Sequence, residues 1–297
     1  RADQDMGREA DFGNGQSVAH TGKGKEKEEA TKCRFDVGGD PASKLSGWLG
    51  LNAMDNIKLK LTVAYDGTRY KGWQVQKNGV TVQQRIEEAL QRLFPSIKRI
   101  HSSSRTDTGV HARGMVAHVE VPKAEYRIED RKLRLALNSF LPDDVRVMEA
   151  KRVSMTFHAR FDASGKQYRY SVWNHPVMDP LQNNTAWHMP RELDFELMRR
   201  GAKYFVGKRD FRAFAVRREY EMRSTVRTVT ACKIYKKDSM LIWCIEGDGF
   251  LYKMCRGIVG TLVEVGTGKL KPGDIRDILK SCDRSRAGVT APPHGLV

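Results

Sequence analysis

Ser104-Arg105-Thr106-Asp107-Thr108-Gly109-Val110-His111-Ala112 is a polar loop that leads into the alternating stretch Met115-Val116-Ala117-His118-Val119-Glu120-Val121. The alternation is that of a half-buried strand, so the loop delivers one carboxylate, Asp107, to a strand's edge. Read alone, Asp-Thr-Gly describes a turn whose carboxylate caps nearby backbone N–H groups. It also matches the motif of aspartic proteases, whose chemistry needs two carboxylates sharing a proton, each behind an apolar strand. Here Ser102-Ser103-Ser104-Arg105 precedes the motif and no second Asp-Thr-Gly exists, so only a symmetric dimer could complete such a site.

Outward from the loop, short elements alternate. Upstream, residues 57–65 (IKLKLTVAY) alternate as a strand and run into the turn Asp66-Gly67. Val82, Ile86, Ala89, Leu90 and Leu93 then recur at helical spacing behind Thr81, a predicted N-cap. Downstream, a helix around residues 133–139 precedes Asp143-Asp144 and a further strand. Residues 166–173 (KQYRYSVW) place Tyr168, Tyr170 and Val172 on one strand face and Gln167, Arg169 and Ser171 on the other. Helices fit residues 195–206 and 250–265, and residues 226–247 read as a hairpin between them. The pattern is that of an α+β protein. There is no sequence repeat, but the similar order of elements in the two halves hints at two related lobes with a cleft between them.

The 297 residues, 40% hydrophobic and 30% charged, suffice for one large core or two modest ones. The net charge is +16. Residues 1–55 hold eight Lys/Arg against ten Asp/Glu, so the segment from residue 56 onward carries +18. A basic excess confined to the foldable part suits a phosphate backbone, although a solvated basic surface has the same composition. Residues 1–55 lack a periodic apolar pattern and read as a disordered extension. No apolar run reaches the roughly 18 residues of a membrane span, and no signal-peptide core opens the sequence. Cys33, Cys232, Cys244, Cys255 and Cys282 are an odd set without a C-x-x-C pair, which fits a reducing compartment. Transit peptides are acid-poor and residues 1–55 are not, but a presequence ahead of Arg1 would be compatible with the sequence, so the expected compartments are cytoplasm, plastid or mitochondrion. The first residue is Arg, and the sequence stops at Gly295-Leu296-Val297 as a strand begins; it reads as a fragment at both ends.

Four motifs, in order, resemble those of the TruA-type tRNA pseudouridine synthases. Residues 104–112 are similar to that family's catalytic G-R-T-D-x-G-V-H-A, with Ser104 for its first Gly. Tyr65-Asp66-Gly67, Tyr70 and Gly72-Trp73-Gln74 resemble its opening Y-D-G-x-x-Y-x-G-W-Q. Phe157-His158-Ala159-Arg160-Phe161 and Tyr168-Arg169-Tyr170 resemble F-H-A-R-F and Y-R-Y. Residues 250–260 resemble F-x-x-x-M-V-R-x-I-V-G, with Cys255 for Val and Gly257 where Asn is common.

The resemblance implies a pseudouridine synthase fold: an antiparallel mixed sheet with flanking helices, in two related lobes around a central active-site cleft. Residues 56–160 would form the N-terminal catalytic lobe and residues 161–297 the C-terminal one. It further implies a homodimer that isomerises uridine in the anticodon stem-loop of tRNA without a cofactor. Asp107 would be the nucleophile or base. Burial would raise a carboxyl group above its usual value of about 3.9 unless a cation opposes the shift, and Arg256, in an otherwise apolar helix segment, is the candidate. Tyr168 would stack on the extruded uracil and take a proton through its hydroxyl. Arg105 would fill the space left by the flipped nucleotide or hold a phosphate. Arg160, Arg169 and the cluster Lys208, Arg209, Arg212, Arg217, Arg218, Arg223 and Arg227 would hold RNA backbone. His111, His118 and His158 make no ligand spacing, so no metal is expected. The competing readings are an RNA-binding protein without catalysis and a pseudouridine synthase acting on another RNA.

Overall fold

The alternation at residues 57–65 becomes β1 (Asn56–Tyr65), which buries Leu59, Leu61, Val63 and Tyr65 on one face. The computed structural model describes residues 56–216 and 224–297; the extension read at 1–55 and the arginines at 217, 218 and 223 lie outside the described residues. α1 (Val82–Leu93) starts at Thr81, whose hydroxyl accepts the Gln84 N–H at 3.3 Å. β2 (His101–Ser102), β3 (Ala112–Pro122), α2 (Asp130–Phe140) and β4 (Val145–Val153) follow. The strands form one antiparallel sheet in the order β2-β3-β1-β4. Its apolar face joins Ile86 and Leu90 of α1 and Leu133 and Leu137 of α2 in one hydrophobic core.

A second sheet is built from β5 (Lys166–Asn174), β6 (Trp187–Met189), β7 (Gly207–Asp210), β8 (Val226–Lys237) and β9 (Met240–Gly247), in the order β6-β5-β9-β8-β7. All its pairs are antiparallel except β5–β6. β8 and β9 are the hairpin read at 226–247. α3 (Phe195–Ala202), α4 (Met254–Gly266) and α5 (Asp274–Ser281) contribute to its core. The helix read at 195–206 stops at Ala202 and continues as a 3-10 turn over Lys203–Phe205. The helix read from 250 begins four residues later, because Lys253 adopts a left-handed φ of 59° that an α-helix cannot include. At the end of the sequence the expected strand amounts to a bridge: Val297 and Arg169 exchange two backbone hydrogen bonds of 2.8 Å, and Leu296 pairs with Tyr170.

Every residue of α4 except Glu264 is buried, so its packing tolerates little change. A Cβ on Gly260 would lie 1.7 Å from the Val289 carbonyl oxygen, and the chain just beyond it donates the Ala291 N–H to the Arg256 carbonyl at 3.1 Å. Gly260→Ala is therefore expected to destabilise the fold by about 2 kcal/mol or more, read as a lowered denaturation midpoint. An unchanged midpoint would mean that residues 288–291 yield freely. Gly257, where the sequence departs from the motif it resembles, is held as tightly: a Cβ there would meet the Phe214 carbonyl oxygen at 2.4 Å.

Candidate active site

The loop carrying Asp107 is fixed by its backbone. Val110 N–H donates to the Asp107 carbonyl at 3.2 Å, which closes a four-residue turn whose third residue, Gly109, has φ 75°. That position of a type II turn demands positive φ and hence glycine. Beneath the loop, Trp73 N–H donates to the Thr106 carbonyl at 3.1 Å, Gly109 N–H to Tyr70 O at 3.3 Å, and the Tyr65 and Thr106 hydroxyls are 2.8 Å apart. Gly72 permits this approach, since a Cβ there would sit 2.6 Å from the Thr106 carbonyl oxygen. The stretch from Tyr65 to Trp73 is thus the cradle of the loop. Val110 belongs to the core of the second sheet, and His111 N–H donates to Leu296 O at 3.1 Å, so the loop is tied to both sheets. The His111 ring strengthens the tie. Its Nε2 faces the His294 carbonyl at 3.0 Å and so donates, leaving Nδ1 to accept the Gly67 N–H at 3.1 Å. Nδ1 also lies 3.0 Å from Asp66, a contact that becomes an ion pair only when the ring is protonated.

Asp107 does not cap the turn. Its carboxylate Oδ2 accepts from Arg256 Nη1 at 3.2 Å, and among the described residues Oδ1 makes no hydrogen bond. The Arg256 guanidinium is anchored in turn by Nε donating to the Ala291 carbonyl at 2.6 Å. With side chains 11% and 21% exposed, the arginine and the aspartate form a largely desolvated pair. Such a pair keeps a carboxylate charged where water is scarce.

The pair lies on the wall of a cavity of about 860 Å³, lined by residues of both sheets, including Trp73, Arg105, Tyr168, Phe250 and Leu251. Tyr168 packs edge-on against Phe250 with ring centroids 5.0 Å apart. Burial pushes its phenol up to about 12, with Cys255 and Asp107 adding to the rise and Ser104 opposing it. The hydroxyl is accordingly protonated at neutral pH.

Of the residues singled out from sequence, Asp107, Tyr168, Arg256, Arg105 and Arg160 all line this cavity. Arg169 lies on the opposite face of β5, where its Nε donates to Gln167 at 3.0 Å. Lys208, Arg209 and Arg212 are exposed on and beside β7 and are not among the cavity's walls, while Arg217 and Arg218 fall outside the described residues. Arg227, the last residue of that basic cluster, does line the cavity, as do Lys166 and the exposed Phe161, which the sequence did not single out as site residues. Lys166 could have been found: it stands two residues before Tyr168 on a strand and so shares its face.

The histidines are closer than their spacing suggests. His118 lies 4.7 Å from His158 and 5.2 Å from His101 between ring centroids, and its Nδ1 accepts the Ala159 N–H at 3.1 Å. Burial, reinforced by the two neighbouring rings, pulls the His118 imidazole down to about 4, so it is neutral. Among the described residues no group of three or more His, Cys, Asp or Glu could hold a metal ion, and no helix is long and apolar enough to cross a membrane.

A family profile described as tRNA pseudouridine synthase matches residues 61–162 and 202–297. These segments hold Asp107 and Arg256; Tyr168 lies between them. The tRNA pseudouridine synthase A of Thermoanaerobacter sp. (strain X514) is 45% identical over 236 residues, covering 80% of this chain and 95% of that protein. The protein of the same name from Methylacidiphilum infernorum is 42% identical over 240 residues, with 81% and 93% covered. That of Ruminiclostridium cellulolyticum is 43% identical over 240 residues, with 80% and 96% covered. Both halves of the ion pair at the cavity thus fall inside the matched sequence, and the chain belongs to the tRNA pseudouridine synthase family.

Proposed function

We propose that this protein isomerises uridine to pseudouridine in the anticodon stem-loop of tRNA, with Asp107 as the catalytic carboxylate. The observation that carries the reading is the Asp107–Arg256 pair on the wall of a cavity, with one carboxylate oxygen left unbonded among the described residues. The reaction breaks the bond from N1 to the ribose carbon and joins C5 to that same carbon. The C5 proton leaves and N1 gains one, so neither a group donor nor a redox partner enters the balance. It needs a charged carboxylate as nucleophile or base, which the guanidinium maintains. It also needs the base out of the helix, and Arg105, exposed on the cavity wall, suits the space that the base leaves. In this reading residues 56–160 and 161–297 are two related lobes around the active-site cleft, two copies form a homodimer, and Arg160 with Lys208, Arg209 and Arg212 contacts RNA backbone. An RNA-binding protein without catalysis is the weaker reading, because a desolvated carboxylate beside phosphates does not help binding.

Tyr168 fits a stacking platform whose phenol handles the C5 proton. Because that phenol is protonated at neutral pH, it can accept a proton only as it gives up its own. Incubation with total tRNA, followed by carbodiimide-based mapping, is expected to reveal new pseudouridines in anticodon stem-loops. Their absence there, or their presence only elsewhere, would overturn the assigned position. In the same assay Tyr168→Phe is expected to bind tRNA as the wild type does and to turn over roughly a hundredfold more slowly. Equal rates would leave Tyr168 a platform alone.

A further inference from the structure

We infer that Lys166, Arg160 and Arg227 form a phosphate site on the cavity wall, and that Lys166 couples the phosphodiester held there to the loop bearing Asp107. The inference rests on the pseudouridine synthase reading and deepens it. All three side chains line the cavity that holds Asp107. Lys166 Nζ donates to the Ser103 carbonyl at 2.9 Å, one bond of the three that an ammonium group offers. Arg227 donates through Nη1 to the Ser224 and Val226 carbonyls, at 3.1 and 2.6 Å, and the Arg160 guanidinium lies 5.9 Å from the centre of the Phe161 ring. Among the described residues none of the three pairs with a carboxylate, whereas Arg256 on the same cavity does.

Three cations gathered on one wall repel one another, with Asp248 near Arg227 but in ion-pair contact with none of them, and burial together with the charges of Arg160 and Arg227 draws the Lys166 amine below its usual value. An anion among them removes the repulsion. The anion that a nucleotide substrate brings to this wall is a backbone phosphate of the strand carrying the target uridine. The bond from Lys166 to Ser103 gives that phosphate a route to the chemistry, because Ser103 stands four residues before Asp107 on the same loop. Lys166 is thus a positioning residue: it holds the phosphate and the loop at once.

The test is the salt dependence of tRNA binding, compared across variants and run beside single-turnover conversion. Removing one cation that neutralises a phosphate should lower the slope of log K against log salt by about 0.7 to 0.9. Lys166→Met and Arg227→Gln are each expected to show that decrease, and Lys166→Arg to retain the wild-type slope. Lys166→Met should also slow conversion at saturating tRNA, with Lys166→Arg recovering most of the rate. Wild-type slopes in folded Lys166→Met and Arg227→Gln would overturn the phosphate site while conversion by the unmodified protein stood. If Lys166→Met fails to fold, the slopes of Arg227→Gln and Arg160→Gln decide in its place. A protein that binds tRNA with the expected slopes yet converts no uridine would instead overturn the activity.

Discussion

Asp107→Asn is expected to abolish pseudouridine formation while leaving the fold and tRNA affinity close to those of the unmodified protein. The amide keeps the size of the side chain and an oxygen that can still accept from Arg256. The turn does not depend on the carboxylate, since it is closed by the Asp107 main-chain carbonyl and by the positive φ of Gly109. The cost in stability comes from the missing charge beside a largely buried guanidinium. Because the Ala291 carbonyl still receives Arg256 Nε, that cost should stay at about 1 to 2 kcal/mol. Affinity should hold or improve slightly, because a negative charge near phosphates is removed. The rate, in contrast, loses the only carboxylate that the described residues place in the cavity wall, and removing a nucleophile or essential base costs several orders of magnitude. Product formation under single-turnover conditions, measured beside a binding titration of the same preparation, checks this. Turnover within about tenfold of the unmodified protein would sink the assignment of Asp107.

The elements around this site were readable because their patterns are local. Alternation over residues 57–65 and 166–173, and helical spacing from Val82 to Leu93, gave β1, β5 and α1 to within a residue or so. Failures came where the chain's path is set by something other than periodicity. The start of α4 depends on the left-handed backbone of Lys253, which no apolar pattern signals. The histidine cluster depends on β2 and β3 pairing so that His101 stands opposite His118, a matter of register rather than of spacing. The basic residues divide the same way. Lys208, Arg209 and Arg212 are dense in sequence but stand on and beside an edge strand and are not among the cavity's walls, whereas Arg227 from the end of the same cluster joins Arg160 and Lys166, from a separate stretch, on one wall. The motif from Tyr65 to Trp73 was legible as a resemblance only. Its physical role, holding the Thr106 carbonyl and the turn after Asp107, needed the close approach of Gly72 to that carbonyl.

Arg256→Met tests whether the cation acts on Asp107 electrostatically or merely fills a buried position. Methionine retains most of the apolar volume within a helix that is buried on nearly all sides, so the packing of α4 should survive. Two interactions disappear: the bond to Asp107 at 3.2 Å and the bond to the Ala291 carbonyl at 2.6 Å. Without the second, residues 288–291 loosen, and the unpaired carbonyl should cost about 1 to 2 kcal/mol of stability. Without the first, a poorly solvated carboxylate stands with no opposing charge, and a carboxylate so placed is harder to ionise. Since only the charged form is active as nucleophile or base, the acidic limb of the rate profile should move to higher pH, and the rate at neutral pH should fall by roughly a hundredfold or more. Arg256→Lys separates the two effects, because an ammonium keeps the charge while it cannot make both bonds in the same geometry. It should restore the acidic limb toward its original position even if the stability cost remains. A folded Arg256→Met protein with an unshifted profile and a normal rate would reduce Arg256 to a tether for residues 288–291 and leave Asp107 to be kept charged by something else.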